Sequence, residues 1–223
     1  MKKVSALILL AAMLFGAALL SCAPEEKETI QEGEFTFTVL KRGDTVTGIE
    51  VESPGRKSSK LDVTGKNLTF IDMNFDGHPD IRLESLTPSL GTYECFILRP
   101  TIGKFVRSSA FSSLISPEWD AESQTVKSRM TSIVYYATDV PAAKSDYEET
   151  RADQTWKWIN GALTLIEEQG ITYYSSDGIY CRYTSVYDSG ILLRDPATEE
   201  WFQSLDALRS AGYKWDDGTE IPE

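Results

Sequence analysis

Nine residues, Asp72-Met73-Asn74-Phe75-Asp76-Gly77-His78-Pro79-Asp80, place oxygen-bearing side chains at positions one, three, five and nine, with glycine at position six. Calcium takes about six to eight hard oxygen ligands; alternate residues of a tight loop aim theirs at one centre, and the glycine permits the sharp turn. Asp72, Asn74, Asp76 and Asp80 are therefore candidate side-chain ligands, and His78 at position seven would bind through its main-chain carbonyl. Position twelve is Leu83, so the bidentate glutamate that closes many such loops is missing. Strand-like residues, Leu68–Ile71 and Ile81–Leu83, flank the loop. The alternative is a metal-free turn held by Asp and Asn side chains.

The three cysteines carry a second kind of chemistry. Lys2 and Lys3 precede an uncharged, mostly apolar run, Val4 to Leu20, which closes on Leu19-Leu20-Ser21-Cys22. That order of positive, apolar and small residues is a secretory signal, and the closing tetrapeptide has the form of a lipobox. Residues 1–21 are expected to be removed and Cys22 to be acylated. The run sits at the lower edge of membrane-spanning length, about 17–25 residues; the cysteine and the polar Ala23 to Glu28 favour cleavage. Buried acyl chain contributes about 0.8 kcal/mol per methylene, so two or more chains hold a protein at a membrane. Residues 22–33 then read as a tether. Aspartate is absent after Cys22, which by resemblance to lipoprotein sorting in Gram-negative bacteria implies the outer membrane, on its periplasmic or surface face. Cys95 and Cys181 remain, and their apolar surroundings leave open either a disulfide or two free buried thiols. His78 is the lone histidine and sits in the calcium loop, so neither a structural zinc site nor a Ser-His-Asp hydrolase is expected.

The chain has a net charge of −12, and loss of Lys2 and Lys3 with the signal leaves −14 on 202 residues. Nucleic acid would be repelled, whereas a basic partner would be steered towards the surface. No glycine-rich phosphate loop precedes a helix, so no nucleotide site is expected. Carboxylate-pair catalysis stays open, because acidic residues are abundant and their separations are unknown. Arg42-Gly43-Asp44 lies between two strand-like runs and reads as a turn.

The elements that must position these residues are strands. Phe35, Phe37 and Val39 alternate with polar residues, and short β-branched or aromatic runs separated by Gly, Asn, Asp and Pro recur along the chain. This is an all-β pattern. Gln154 to Ile159 and Ala162 to Ile166 flank Asn160-Gly161, the sequence of a tight hairpin, with Trp156 and Trp158 on one core-facing side. Helical spacing is confined to Ser204–Ala211, where Leu205 and Leu208 are three apart and Gly212 follows. One domain over 34–187, with an appended segment 188–223, is expected.

The strand–loop–strand around Asp72–Asp80 resembles the calcium loop of FG-GAP-type β-propeller proteins, without the helices of an EF-hand. Phe70-Ile71-Asp72, the loop, Ile81-Arg82-Leu83, Tyr93, Gly103-Lys104-Phe105, Trp156-Lys157-Trp158 and Gly161 to Leu165 follow in an order similar to a group of bacterial envelope lipoproteins with a single such loop. That group includes inhibitors of lysozyme-like cell-wall hydrolases. The likeness spans about residues 67–168. It implies an irregular, propeller-like antiparallel β-fold (a β-sandwich being the alternative), bound Ca2+, and a binding role without catalysis, towards a basic cell-wall hydrolase. Such inhibitors often insert a Ser-Gly loop followed by tyrosine into the enzyme cleft. The nearest approximations here are Ser53-Pro54-Gly55-Arg56-Lys57-Ser58 and Ser176-Asp177-Gly178-Ile179-Tyr180, neither a full match. In the first, Ser53, Gly55 and Arg56 are the candidate inhibitory residues. The competing readings are a structural surface lipoprotein whose calcium only holds the fold, and a carboxylate-based glycan hydrolase.

Overall fold

Phe35, Phe37 and Val39 are all buried in strand β2 (Phe35–Arg42), while Thr36 and Thr38 between them are partly exposed. The alternation in the sequence is thus the alternation of a strand with one face in a core. The computed structural model describes residues 24–86, 91–136, 146–188 and 190–215; the signal segment 1–21 and Cys22 lie outside them.

The described residues divide into two compact units, one of 24–71, 78–86 and 93–108, the other of 72–77, 91–92 and those from 109 to 215. The first holds two antiparallel meanders with strands in chain order. Strands β1 (Glu26–Glu32), β2, β3 (Thr45–Glu52) and β4 (Ser59–Leu61) make one; β5 (Lys66–Ile71), β6 (Asp80–Glu84), β7 (Tyr93–Arg99) and β8 (Lys104–Arg107) make the other. Each has the strand number of one propeller blade. Their inner faces share a core that includes Phe35, Phe37, Ile49, Val51, Ile81 and Phe105. Arg42-Gly43-Asp44 is the β2–β3 turn, with Gly43 at φ 59°.

Residues 26–32, expected within the tether, are instead strand β1, paired with β2 from Glu26↔Lys41 to Glu32↔Phe35. Polar composition hides the strand because it is a sheet edge, where charge is tolerated and protective. Ile30 packs against the core, Gln31 accepts a hydrogen bond from Thr36 at 2.8 Å, and Glu28 pairs with Lys41.

The second unit carries a six-stranded antiparallel sheet, again in chain order: β9 (Ile115–Asp120), β10 (Thr125–Tyr135), β11 (Tyr147–Ile159), β12 (Ala162–Tyr174), β13 (Ile179–Asp188) and β14 (Ile191–Phe202). A four-residue helix α1 (Ser109–Ser112) precedes it, and α2 (Leu205–Ser210) follows it. The Trp-bearing hairpin forms as its sequence implies. Asn160 and Gly161 take φ of 52° and 82°, and Trp156 and Trp158 face Leu165 and Leu163. Trp158 stacks on Phe111 at 5.5 Å, while Trp156 donates its indole N–H to Ser128 Oγ at 2.9 Å. Both rings are half-buried.

The segment 188–223 is not an appendage over its described part. β14 pairs with β13 from Asp188↔Ile191 to Tyr180↔Phe202. Asp195-Pro196 reads as a break, but β14 is an edge strand, where proline costs no ladder bond, and the register shifts opposite it, between Thr184 and Val186. Helix α2 begins at Ser204, whose Oγ accepts the Ala207 N–H, and buries Leu208 with Tyr180 and Phe202. Arg151 holds the segment after α2: it pairs with Glu149 at 2.8 Å, lies 4.9 Å from the Trp215 ring centre and donates to the Trp215 carbonyl.

Cys95 and Cys181 are both buried, and no disulfide joins them. Burial pushes the Cys181 thiol from an ordinary 9.0 up to about 11, helped by the Glu199 carboxylate. Ionisation therefore favours the unfolded chain. The stability Cys181 contributes is complete below pH 9 and declines as pH rises through about 11. Both thiols should resist alkylation in the native protein and react fully after denaturation without reductant. Recovery of a Cys95–Cys181 linked peptide by non-reducing mapping would contradict this.

Candidate functional site

The turn 72–77 is wound about the side chain of Asp72. Its Oδ1 accepts the Asp76 N–H at 3.0 Å and its Oδ2 accepts the Gly77 N–H at 2.8 Å. Asn74 Oδ1 accepts the same Asp76 N–H at 3.3 Å, and Asn74 Nδ2 donates to Asp76 Oδ2 at 3.0 Å. Phe75 and Gly77 have φ of 60° and 86°. The positive angle at 77 is one glycine adopts without strain. Asn74 is buried and Asp76 exposed. Asp72, Asn74 and Asp76, three of the residues expected to ligate calcium, thus belong to one hydrogen-bonded turn. Their donor set is oxygen, as calcium requires, once the Asn74 amide presents its oxygen rather than its nitrogen to the ion. No group of three or more His, Cys, Asp or Glu side chains converges among the described residues.

His78 is exposed. Asp80, which opens β6, is 0% exposed, and its Oδ1 accepts the Leu98 N–H of β7 at 2.7 Å. That carboxylate therefore has a structural duty in the β6–β7 pairing.

The β3–β4 connection contains Ser53, Gly55 and Arg56. The Arg56 N–H closes on the Ser53 carbonyl at 3.2 Å, and Gly55 has φ 71°. Arg56 is exposed, but its guanidinium lies against Gly103 of the β7–β8 turn, where a Cβ would meet Arg56 Cζ at 2.8 Å. The other Ser-Gly turn does not project its tyrosine: Tyr180 is 9% exposed and packs against Tyr173 and Trp215. It is core, not a projecting ring.

A feature that the motifs did not reveal is an open groove of about 370 Å³ on the six-stranded sheet, lined by Glu118, Lys127, Arg129, Asp153, Thr155 and Glu167 among others. The register builds it in two rows. Glu118 pairs with Lys127, Lys127 with Thr155 and Arg129 with Asp153, and Thr155 with Glu167 and Asp153 with Gln169. Gln169 donates to Glu167 at 2.8 Å. The sequence signal was the period-two charge of Lys127 and Arg129, but their partners depend on strand order and on the bulge between Thr155 and Trp156.

Among the described residues, no helix is long and apolar enough to cross a membrane. No known family matches the chain, and no curated protein does. Among solved structures the fold is similar to a Xanthomonas type IV secretion system related protein, with TM-score 0.50 and 15% identity, over 77% of this chain and 93% of that one. At that identity the likeness concerns the fold alone.

Proposed function

We propose that the protein is a binding module of the bacterial envelope, lipid-anchored through Cys22, stabilised by calcium at Asp72–Asp80, and an inhibitor of a basic, lysozyme-like peptidoglycan hydrolase. The observation that carries this reading is the oxygen-bearing turn around Asp72, Asn74 and Asp76, in the strand–loop–strand setting that resembles the inhibitor lipoproteins. Calcium bound there would neutralise carboxylates and fix the β5–β6 connection; Asp72, Asn74, Asp76, Asp80 and the His78 carbonyl would hold it. A secretion-related fold neighbour from Xanthomonas is consistent with an envelope setting. The net charge of −12 would steer the chain towards a basic enzyme, at a rate that falls with salt.

The groove favours a second reading, a carboxylate-based glycan hydrolase, because Glu118, Asp153 and Glu167 line one concavity. Binding is the better account. Glycosidases raise one carboxyl into the general-acid range by apolar burial, and no lining residue of this groove is apolar.

The test is peptidoglycan lysis by a panel of lysozyme types, with the full chain added in detergent at micromolar concentration. At least one enzyme should be inhibited, less at high salt, and Arg56→Ala should weaken inhibition by about tenfold, as expected for one desolvated charge pair. Absence of both inhibition and binding across the panel would leave a calcium-held surface lipoprotein. Peptidoglycan cleavage by the protein itself, abolished by Asp153→Asn or Glu167→Gln, would establish the hydrolase instead.

A further inference from the structure

We infer that the groove on the six-stranded sheet binds a short peptide through both its free ammonium and its free carboxylate. Lys127 and Arg129 lie two residues apart on one face of β10, so their Cα atoms are about 7 Å apart. Glu118 stands directly opposite Lys127 on β9, and Asp153 directly opposite Arg129 on β11. Directly opposed residues are about 4.5–5.5 Å apart. Glu167 extends the first row beyond Thr155. The result is a pair of cations along the middle of the groove, with carboxylates on both sides of it.

That arrangement selects a ligand by sign. A simple anion drawn to Lys127 and Arg129 meets Glu118, Asp153 and Glu167, and a polycation drawn to the carboxylates meets two cations. A molecule with one charge of each sign satisfies both. Length narrows the class further. An extended dipeptide spans at most about 7 Å, and a single residue half that, so a dipeptide reaches from a β10 cation to an acid across the strand gap. The volume of about 370 Å³ falls at the low end for ligand pockets, about 300–1,000 Å³, which suits a small ligand. No aromatic ring lines the groove, so a sugar or base would find no stacking surface. Capture of this ligand requires neither calcium nor a hydrolase partner.

Calorimetric titration of the full chain in detergent tests the assignment with alanine, dialanine, N-acetyl-dialanine and dialanine amide as probes. Dialanine should bind with Kd of about 1 mM, a modest affinity for an open, polar site. Capping either terminus should weaken binding by about tenfold, the loss of one charge-assisted hydrogen bond, and alanine should bind more weakly than dialanine. Lys127→Gln and Asp153→Asn, both at exposed positions, should each weaken it similarly without lowering Tm. Thr155→Trp, which fills the floor, should abolish it. Capped and uncapped dipeptides binding alike, unchanged affinity in those variants, or no heat at about 20 mM dialanine, well above that Kd, would each overturn the assignment.

Discussion

Replacement of Phe37 by alanine is expected to lower the stability of the first unit by about 3–5 kcal/mol, the usual cost of emptying a fully buried aromatic site. Phe37 is 1% exposed. Its ring centre lies 4.7 Å from that of Phe70 on β5 and 5.6 Å from that of Phe105 on β8, with Phe35 beside it at 6.2 Å. The ring thus joins both meanders of that unit, and its removal costs aromatic contacts as well as buried area. Collapse into the cavity is hindered because each neighbour is fixed by its own ladder. Phe37→Leu keeps most of the volume and should cost about 1–1.5 kcal/mol. All five tryptophans, the first being Trp119, lie beyond residue 108, so their fluorescence reports the second unit. Amide exchange at Val39, Ile49 and Ile81 reports the first. A loss below about 1 kcal/mol in that exchange, outside the range for such sites, would mean the shared Phe core does not hold the unit.

What the sequence made legible follows physical period and local chemistry. Phe35-Thr36-Phe37-Thr38-Val39 could only be a half-buried strand, and Asn160-Gly161 specified its turn because the two positive φ angles are local demands. Ser204 and Gly212 marked the ends of α2 for the same reason. Two readings failed where a strand lies at a sheet edge. Glu26–Glu32 is too charged, and Asp195-Pro196 too broken, to look like pairing partners, yet an edge strand needs only one neighbour and one covered face. The candidate sites divide in the same way. The turn at 72–77 was visible because all its chemistry lies within six residues. The groove was not, because Glu118, Lys127, Asp153 and Glu167 come from four strands, and nothing in the sequence sets Glu118 opposite Lys127 or carries the row across the Thr155/Trp156 bulge to Glu167. Tyr180 shows the limit of a short motif: its place after Ser176-Asp177-Gly178 resembles a projecting inhibitory loop, but cross-strand packing on Tyr173 makes it core.

The loop residues themselves should separate under mutation into two classes. Asp80→Ala is expected to destabilise the protein in chelator by about 1–3 kcal/mol, because it leaves the Leu98 N–H inside the sheet with no acceptor. The 2.7 Å bond from that N–H ends on a carboxylate with 0% exposure. Asp80→Asn keeps an oxygen acceptor and should recover part of the loss. Asp76→Ala should behave differently, since Asp76 is exposed and its carboxylate receives the Asn74 amide at the surface of the turn. In chelator it should lie within about 0.5 kcal/mol of the wild type, as surface substitutions do. In calcium at ten times Kd the wild type should gain about 1.4 kcal/mol, and Asp76→Ala should lose most of that gain because a central ligand is missing. Thermal denaturation of the three variants and the wild type, with calcium and with chelator, reads both effects at once. A wild-type Tm indifferent to calcium and chelator would eliminate the metal. An Asp80→Ala protein as stable as wild type in chelator would instead remove the structural role of that carboxylate, whatever the metal does.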